Sequence, residues 1–211
     1  SVELQREKMT RYLALGQAQM LETPHEAKPY YEVGLIYYAL GRWDDAIRAF
    51  QKVIAYAPTE YRAYHKLART YTKVREFHRA IALYEKYLTL HGAESDVLAE
   101  LGLLYCKRED FQVALQYFQE ALLVNRGNIL ARHNLTILYV QLGQKEDAVS
   151  LLKESEEHFP NPFTFNILGI WASNDGKKNE AKEYFEKGIA CNPNSGQQII
   201  LDLKSNLRNI T

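Results

Sequence analysis

Apolar residues along this chain recur at intervals of three and four, as in Tyr30, Val33, Gly34 and Tyr37, the spacing that gathers side chains on one face of a helix. Breaks fall near Gly41-Arg42, Arg75-Glu76, Glu109-Asp110, Gly143-Gln144 and Gly176-Lys177, which leaves about 14 residues for each helix. Breaks this short join antiparallel helix pairs. With only six prolines and eleven glycines, long helices with brief interruptions fit better than a many-turned β fold.

The pattern repeats. Alanine stands at Ala46, Ala80, Ala114 and Ala148, each 34 residues after the last, and then at Ala181 after 33. Tyr37, Tyr71, Tyr105 and Tyr139 keep the same step, as do Val33, Leu67, Leu101 and Leu135, followed by Leu168. A small residue follows each of these last, in turn Gly34, Ala68, Gly102, Thr136 and Gly169. Large apolar residues stand downstream of the alanines at Phe50, Tyr84, Phe118, Leu152 and Phe185, and Pro58, Pro160 and Pro193 close three of the five units. The small residues sit where two helix backbones approach, and the aromatic ones fill the wedge beside them. One such pair cannot bury its own apolar face, so stacked neighbours complete the core.

A period of 34 with this order of small and large residues resembles the tetratricopeptide repeat family over residues 27–195. The resemblance implies an all-α fold, a right-handed α-solenoid of five helix pairs over 27–60, 61–94, 95–128, 129–161 and 162–195, between an N-terminal helix or cap over 1–26 and a C-terminal capping helix over 196–211. Arg132 replaces the first aromatic of the fourth unit and Ala172 the tyrosine of the fifth, while Ser155 and Gly188 thin the late positions. These departures predict looser packing toward the C-terminal end. In the last helix Ile200, Leu203, Leu207 and Ile210 form one stripe that would cover the fifth unit, with Gln198, Asp202, Asn206 and Arg208 turned to water. Residues 1–22 read as a helix with Met9, Leu13 and Met20 near one face, ended by Thr23-Pro24. They do not fit the repeat columns, which leaves a cap, the tail of a degenerate upstream unit, or an insert lying in the groove.

At 211 residues and 46% hydrophobic, the chain can bury a core, and its zero formal charge gives no overall field toward nucleic acid or an anionic membrane. Cys106 and Cys191 have no metal-ligand spacing and read as reduced thiols, in keeping with a cytoplasmic protein. No stretch approaches the roughly 18 to 20 apolar residues of a membrane span. The start Ser1-Val2-Glu3-Leu4 is no signal peptide, and without an initiator Met it leaves room for a targeting segment or a further domain upstream. His25, His65, His78, His91, His133 and His158 include no pair at i, i+4, and there is no phosphate loop or nucleophile elbow. The expectation is therefore a protein that is not an enzyme and holds no cofactor or metal. Cys106 reads as a packing residue, and Glu154, Glu156 and Glu157 as a solvated face.

Function then rests on the surface that stacking creates. The resemblance implies that positions two, five, nine and twelve of each first helix line a concave groove for a partner segment. These are Lys28, Tyr31, Leu35 and Tyr38, then Arg62, His65, Arg69 and Thr72, then Asp96, Ala99, Leu103 and Cys106. The fourth unit gives Leu130, His133, Ile137 and Val140, and the fifth Phe163, Asn166, Ile170 and Ser173. The carboxylate clamp of the family's chaperone-tail binders is missing, since its positions hold Tyr31, Leu35, Lys66, Asp96 and Glu100. Instead Arg62, His65, Lys66, Arg69 and Lys73 fall within about 100° of arc on one helix face, with Asp96 and Glu100 of the next unit as candidate neutralising partners. The reading is a scaffold or adaptor whose partner is a protein or peptide segment, apolar with some acidic or phosphorylated residues. No nucleic acid and no direct membrane insertion are expected. The alternative is a regulatory or substrate-docking repeat domain of a larger enzyme.

Overall fold

The helices form where the apolar periodicity places them. In the computed structural model, which describes residues 2–191 and 197–210, these are α1 (Val2–Glu22), α2 (Ala27–Ala39), α3 (Trp43–Tyr56), α4 (Tyr61–Lys73), α5 (Phe77–His91), α6 (Ser95–Lys107), α7 (Phe111–Val124), α8 (Ile129–Gln141), α9 (Lys145–His158), α10 (Pro162–Asn174), α11 (Lys178–Cys191) and α12 (Gln197–Ile210). Every regular element among the described residues is α-helical. The predicted close of the fifth unit at Pro193 lies outside the described residues.

All five predicted breaks are left-handed turns, at Gly41, Arg75, Glu109, Gly143 and Gly176, with φ from 63° to 77°. Glycine adopts this conformation without strain, and Arg75 and Glu109 adopt it against their Cβ. In four of the turns the N–H just beyond the break donates to the residue in the tyrosine column, as from Arg42 to Tyr37 at 2.9 Å and from Gln144 to Tyr139 at 2.8 Å. This bond caps the orphan carbonyls of each first helix.

Residues 1–108 form one compact body and residues 109–211 a second. In the first, the pairs α2/α3 and α4/α5 stack with α1 before them and α6 after; in the second, α8/α9 and α10/α11 stack with α7 before them and α12 after. The alanine column is wholly buried at Ala46, Ala80, Ala114, Ala148 and Ala181. A Cβ on Gly34 would come 2.7 Å from Phe50 Cε1, and one on Gly169 would come 2.3 Å from Phe185 Cε1, so the small column is fixed by the ring of the paired helix.

Hydrogen bonds reveal a register that apolar columns miss. Gln51 donates to the Tyr71 hydroxyl (3.2 Å), the Tyr105 hydroxyl donates to Glu85 (3.4 Å) and Gln119 donates to the Tyr139 hydroxyl (3.2 Å), each across 20 residues. Gln17 donates to the Tyr37 hydroxyl (2.9 Å) across the same 20 residues, and it stands 34 before Gln51. Likewise the Tyr30 hydroxyl donates to the Pro24 carbonyl (3.1 Å) as that of Tyr64 does to Pro58 (2.9 Å). The helix that fits no apolar column thus stands in the place of a second helix, packed on α2 through the buried Leu13 and Gly16. It is not an insert in a groove.

The predicted looseness around Arg132 is corrected as well. Arg132 is 2% exposed. It donates to the Arg126 carbonyl (2.5 Å) and to Ser155 Oγ (3.0 Å), pairs with Glu154 (3.1 Å) and lies over Phe159 at 4.2 Å. Its bond to Arg126 crosses the same six residues as the Tyr64 bond to Pro58, so the guanidinium takes over the tyrosine's link and the small Ser155 makes room for it. Gly188 is compensated in the same way: a Cβ there would sit 3.0 Å from Leu203. In the cluster of Ala172, Ala181, Phe185, Ile199, Ile200 and Leu203, with Leu207 and Ile210 packed against it, α12 covers the apolar face of α10 and α11, the helices of the predicted fifth unit, and Ile199 joins the stripe. Asn206 does not face water as predicted; its amide donates to Asn166 Oδ1 at 2.9 Å.

Candidate protein-interaction site

The predicted groove residues lie on the first helices α2, α4 and α6 of the first body and α8 and α10 of the second. In the first body, Tyr31 and Leu35 are half-buried. Tyr31 meets Phe50 edge-on at 5.9 Å and carries the Arg62 guanidinium 5.6 Å above its ring. The cationic arc on α4 divides in two. Arg62 turns back to the start of its own helix, where Nε and a terminal nitrogen donate to the two oxygens of Glu60 at 2.7 and 2.9 Å. Glu60 also accepts from the Arg62 backbone N–H (3.3 Å), and hydrogen bonding from Arg62 holds its carboxyl below the ordinary value despite some burial.

His65 and Arg69 instead reach across to Glu100 on α6, each at 3.5 Å. His65 rests beside the rings of Tyr84 and Tyr87 at 5.8 and 5.4 Å. The Tyr84 hydroxyl makes a very short hydrogen bond to Glu100. Burial acts to raise the Glu100 pKa, but the bonds from His65 and Tyr84 and the charge of Arg69 outweigh it, so the carboxyl stays ionised below its ordinary range. Burial, and then the adjoining carboxylate, push the Tyr84 phenol far up. Of the two predicted neutralising acids, Glu100 does pair with the arc, and it takes Arg69 and His65 only. Lys66 and Lys73 form no ion pair among the described residues.

Tyr38, Arg69, Thr72, Lys73 and Leu103 converge on one cavity of about 180 Å³, joined there by Tyr84, Glu100, Leu104 and Lys107. Lys107 is the residue that the groove positions omit. Its signal was present in the sequence, because it follows Lys73 by one full period of 34.

In the second body, Leu130, Ile137 and Val140 on α8 and Ile170 on α10 are 37 to 47% exposed. Val140 also borders a cavity of about 480 Å³ with Gly143, Lys145, Trp171, Asn174 and Asp175. His133 and Phe163 are in ring contact at 4.6 Å. The His133 Nδ1 is buried without a hydrogen-bond partner among the described residues, and burial lowers the imidazole's pKa, favouring the neutral ring. Phe163 packs against the α12 cluster, and Asn166 is engaged by Asn206. These two groove residues are thus already engaged within the second body, whereas Leu130, Ile137 and Val140 on α8 are exposed.

Other chemistry is sparse. Among the described residues no group of three His, Cys, Asp or Glu side chains is placed to hold a metal ion, and no helix is long and apolar enough to cross a membrane. Cys106 is half-buried, with its thiol pKa raised by that burial, and Cys191 is exposed.

Models described as tetratricopeptide repeat match residues 27–60, 63–97, 105–162 and 166–195. Among curated protein sequences none matches significantly. Solved structures do. MamA is similar with a TM-score of 0.69 at 20% identity, covering 74% of this chain and 91% of its own. YrrB, described as a TPR protein with an unusual peptide-binding site, gives 0.62 at 20%, covering 90% and 97%. The pilF protein of Pseudomonas aeruginosa gives 0.67 at 15%, covering 97% and 98%. At these identities the likeness is one of fold.

Proposed function

The chain belongs to the tetratricopeptide repeat family, and from that premise we propose that it is a non-catalytic scaffold or adaptor that holds a segment of a partner polypeptide against its first-helix faces. The observation that carries this is the row of solvent-facing aliphatic side chains Leu130, Ile137, Val140 and Ile170. Exposed apolar side chains at corresponding positions of neighbouring first helices, such as Ile137 and Ile170, fit a surface that a partner segment covers. Tyr31, Leu35, Tyr38, His65, Lys66, Arg69, Lys73 and Leu103 serve the same role in the first body, where the partner carries acidic or phosphorylated residues; Arg62 contributes least, being held by Glu60. His133, Phe163 and Asn166 form the floor beside the apolar row. The similarity to YrrB, which has a peptide-binding site by its description, supports a polypeptide ligand over nucleic acid, as does the absence of net charge. The place of action is the cytoplasm, where Cys106 and Cys191 stay reduced.

Selection of a random peptide phage library on the intact chain tests this. Enriched sequences should carry apolar anchors, and the folded variant Ile137→Asp with Ile170→Asp should lose them. No enrichment on the intact chain, or equal enrichment on the variant, would remove the apolar row as a binding surface.

A further inference from the structure

Resting on that scaffold reading, we propose that the cavity between the C-terminal halves of α4 and α6 is a pocket for a single phosphorylated side chain of the partner segment. Three cations border it, Arg69, Lys73 and Lys107, against one carboxylate, Glu100. Glu100 already accepts from Tyr84 and faces His65 and Arg69, so its single charge is shared among three partners. Arg69 has only its one 3.5 Å approach to Glu100, which leaves most of its five N–H donors without a protein acceptor. Lys73 has no ion pair, Lys107 rests 5.3 Å from the Phe77 ring, and the Tyr38 hydroxyl has no hydrogen-bond partner among the described residues. Donors outnumber acceptors, and the local charge is about two units positive. A phosphate monoester brings roughly −1.5 to −2 charge and three acceptor oxygens, which matches that excess; a carboxylate, with one charge and two oxygens, matches half of it. Leu103 and Leu104 supply an apolar wall for the stem that carries the phosphate.

The bland account of Lys73 and Lys107 is that each is the basic residue in the last turn of its helix, where the helix dipole favours a cation. That explains a lysine at each position separately. It does not explain why Arg69 and an unpartnered phenol converge on the same 180 Å³. Of the clamp positions only that of Glu100 borders the pocket, and it holds a carboxylate here, so this is a different use of the fold.

The test is a titration of the ¹⁵N-labelled full chain with a blocked Leu-phosphoserine-Leu peptide, its Leu-glutamate-Leu counterpart, inorganic phosphate and potassium chloride at matched ionic strength. The phosphopeptide should give saturable shifts at the backbone amides of 69–73 and 103–107, bind at least tenfold more tightly than the glutamate peptide, and exceed inorganic phosphate. Lys73→Glu with Lys107→Glu, both exposed and so compatible with folding, should abolish the shifts, and Tyr38→Phe should weaken binding a few-fold. Equal binding of the glutamate peptide, shifts that persist in the double variant, or shifts matched by chloride would each overturn the assignment. The apolar-row selection in the other body reads independently, so the scaffold reading can stand when this pocket fails.

Discussion

The body over residues 1–108 and the body over residues 109–211 are built alike, two complete helix pairs with one helix before them and one after, yet they treat equivalent positions differently. At the first aromatic position, Tyr64 in the first body joins its helix to the preceding loop by one neutral hydrogen bond to Pro58. In the second, Arg132 makes the same link and adds Ser155, Glu154 and the Phe159 ring. At the groove positions the cations Arg62 and Arg69 stand in the first body, and the exposed aliphatic side chains Leu130, Ile137, Val140 and Ile170 in the second. A repeat thus tolerates quite different residues as long as the same backbone link is made, and the surface is free to diverge once the columns have fixed the helices.

The largest effect that would sharpen this contrast is at Arg132. Arg132→Ala removes a charged donor set and leaves Glu154 with only the outlying Arg126, so it should destabilise the second body by about 2 to 4 kcal/mol. Tyr64→Phe in the first body removes one neutral bond and should cost about 1 kcal/mol. Urea denaturation of both variants checks the ratio; equal losses would mean that Arg132 is no more than a tyrosine substitute.

A middle-sized effect would show where the bodies are the same. Ala80→Leu in the first and Ala148→Leu in the second each force a bulky side chain into a fully buried helix contact, at a cost of about 1 to 3 kcal/mol. Thermal melts that find one of them neutral would break the equivalence of the alanine column.

The smallest effect is with pH. Glu100 and Glu154 both have folded pKa values below the ordinary 4.5, so each contributes stability that is present above that value and is lost as pH falls through the folded pKa. For Glu154 the hydrogen bond from Arg132 is the leading cause, whereas at Glu100 the cost of burial opposes its partners. Glu154→Gln should therefore flatten the acid dependence of the second body, and Glu100→Gln that of the first. Amide hydrogen exchange, read body by body below pH 4.5, checks each.

Much of this molecule was legible in the sequence. The period of 34 gave the helix pairs, the turns at Gly41, Arg75, Glu109, Gly143 and Gly176, and the buried alanine column, because a helix face is a local property set by spacing and a stacked repeat needs only its neighbours. What the spacing could not decide was the choice of partner among several polar groups within reach. Arg62 goes to Glu60 two residues away and leaves the cationic face, Lys107 joins Lys73 from another helix, Arg132 finds a carbonyl, a hydroxyl and a carboxylate together, and Asn206 turns inward to Asn166. The place of α1 was hidden for the same reason, since it lacks the apolar columns while the bonds from Gln17 to Tyr37 and from Tyr30 to Pro24 keep the register. Long polar side chains reach any partner within several ångströms, and which one they take depends on burial and competing donors that exist only once the helices are stacked.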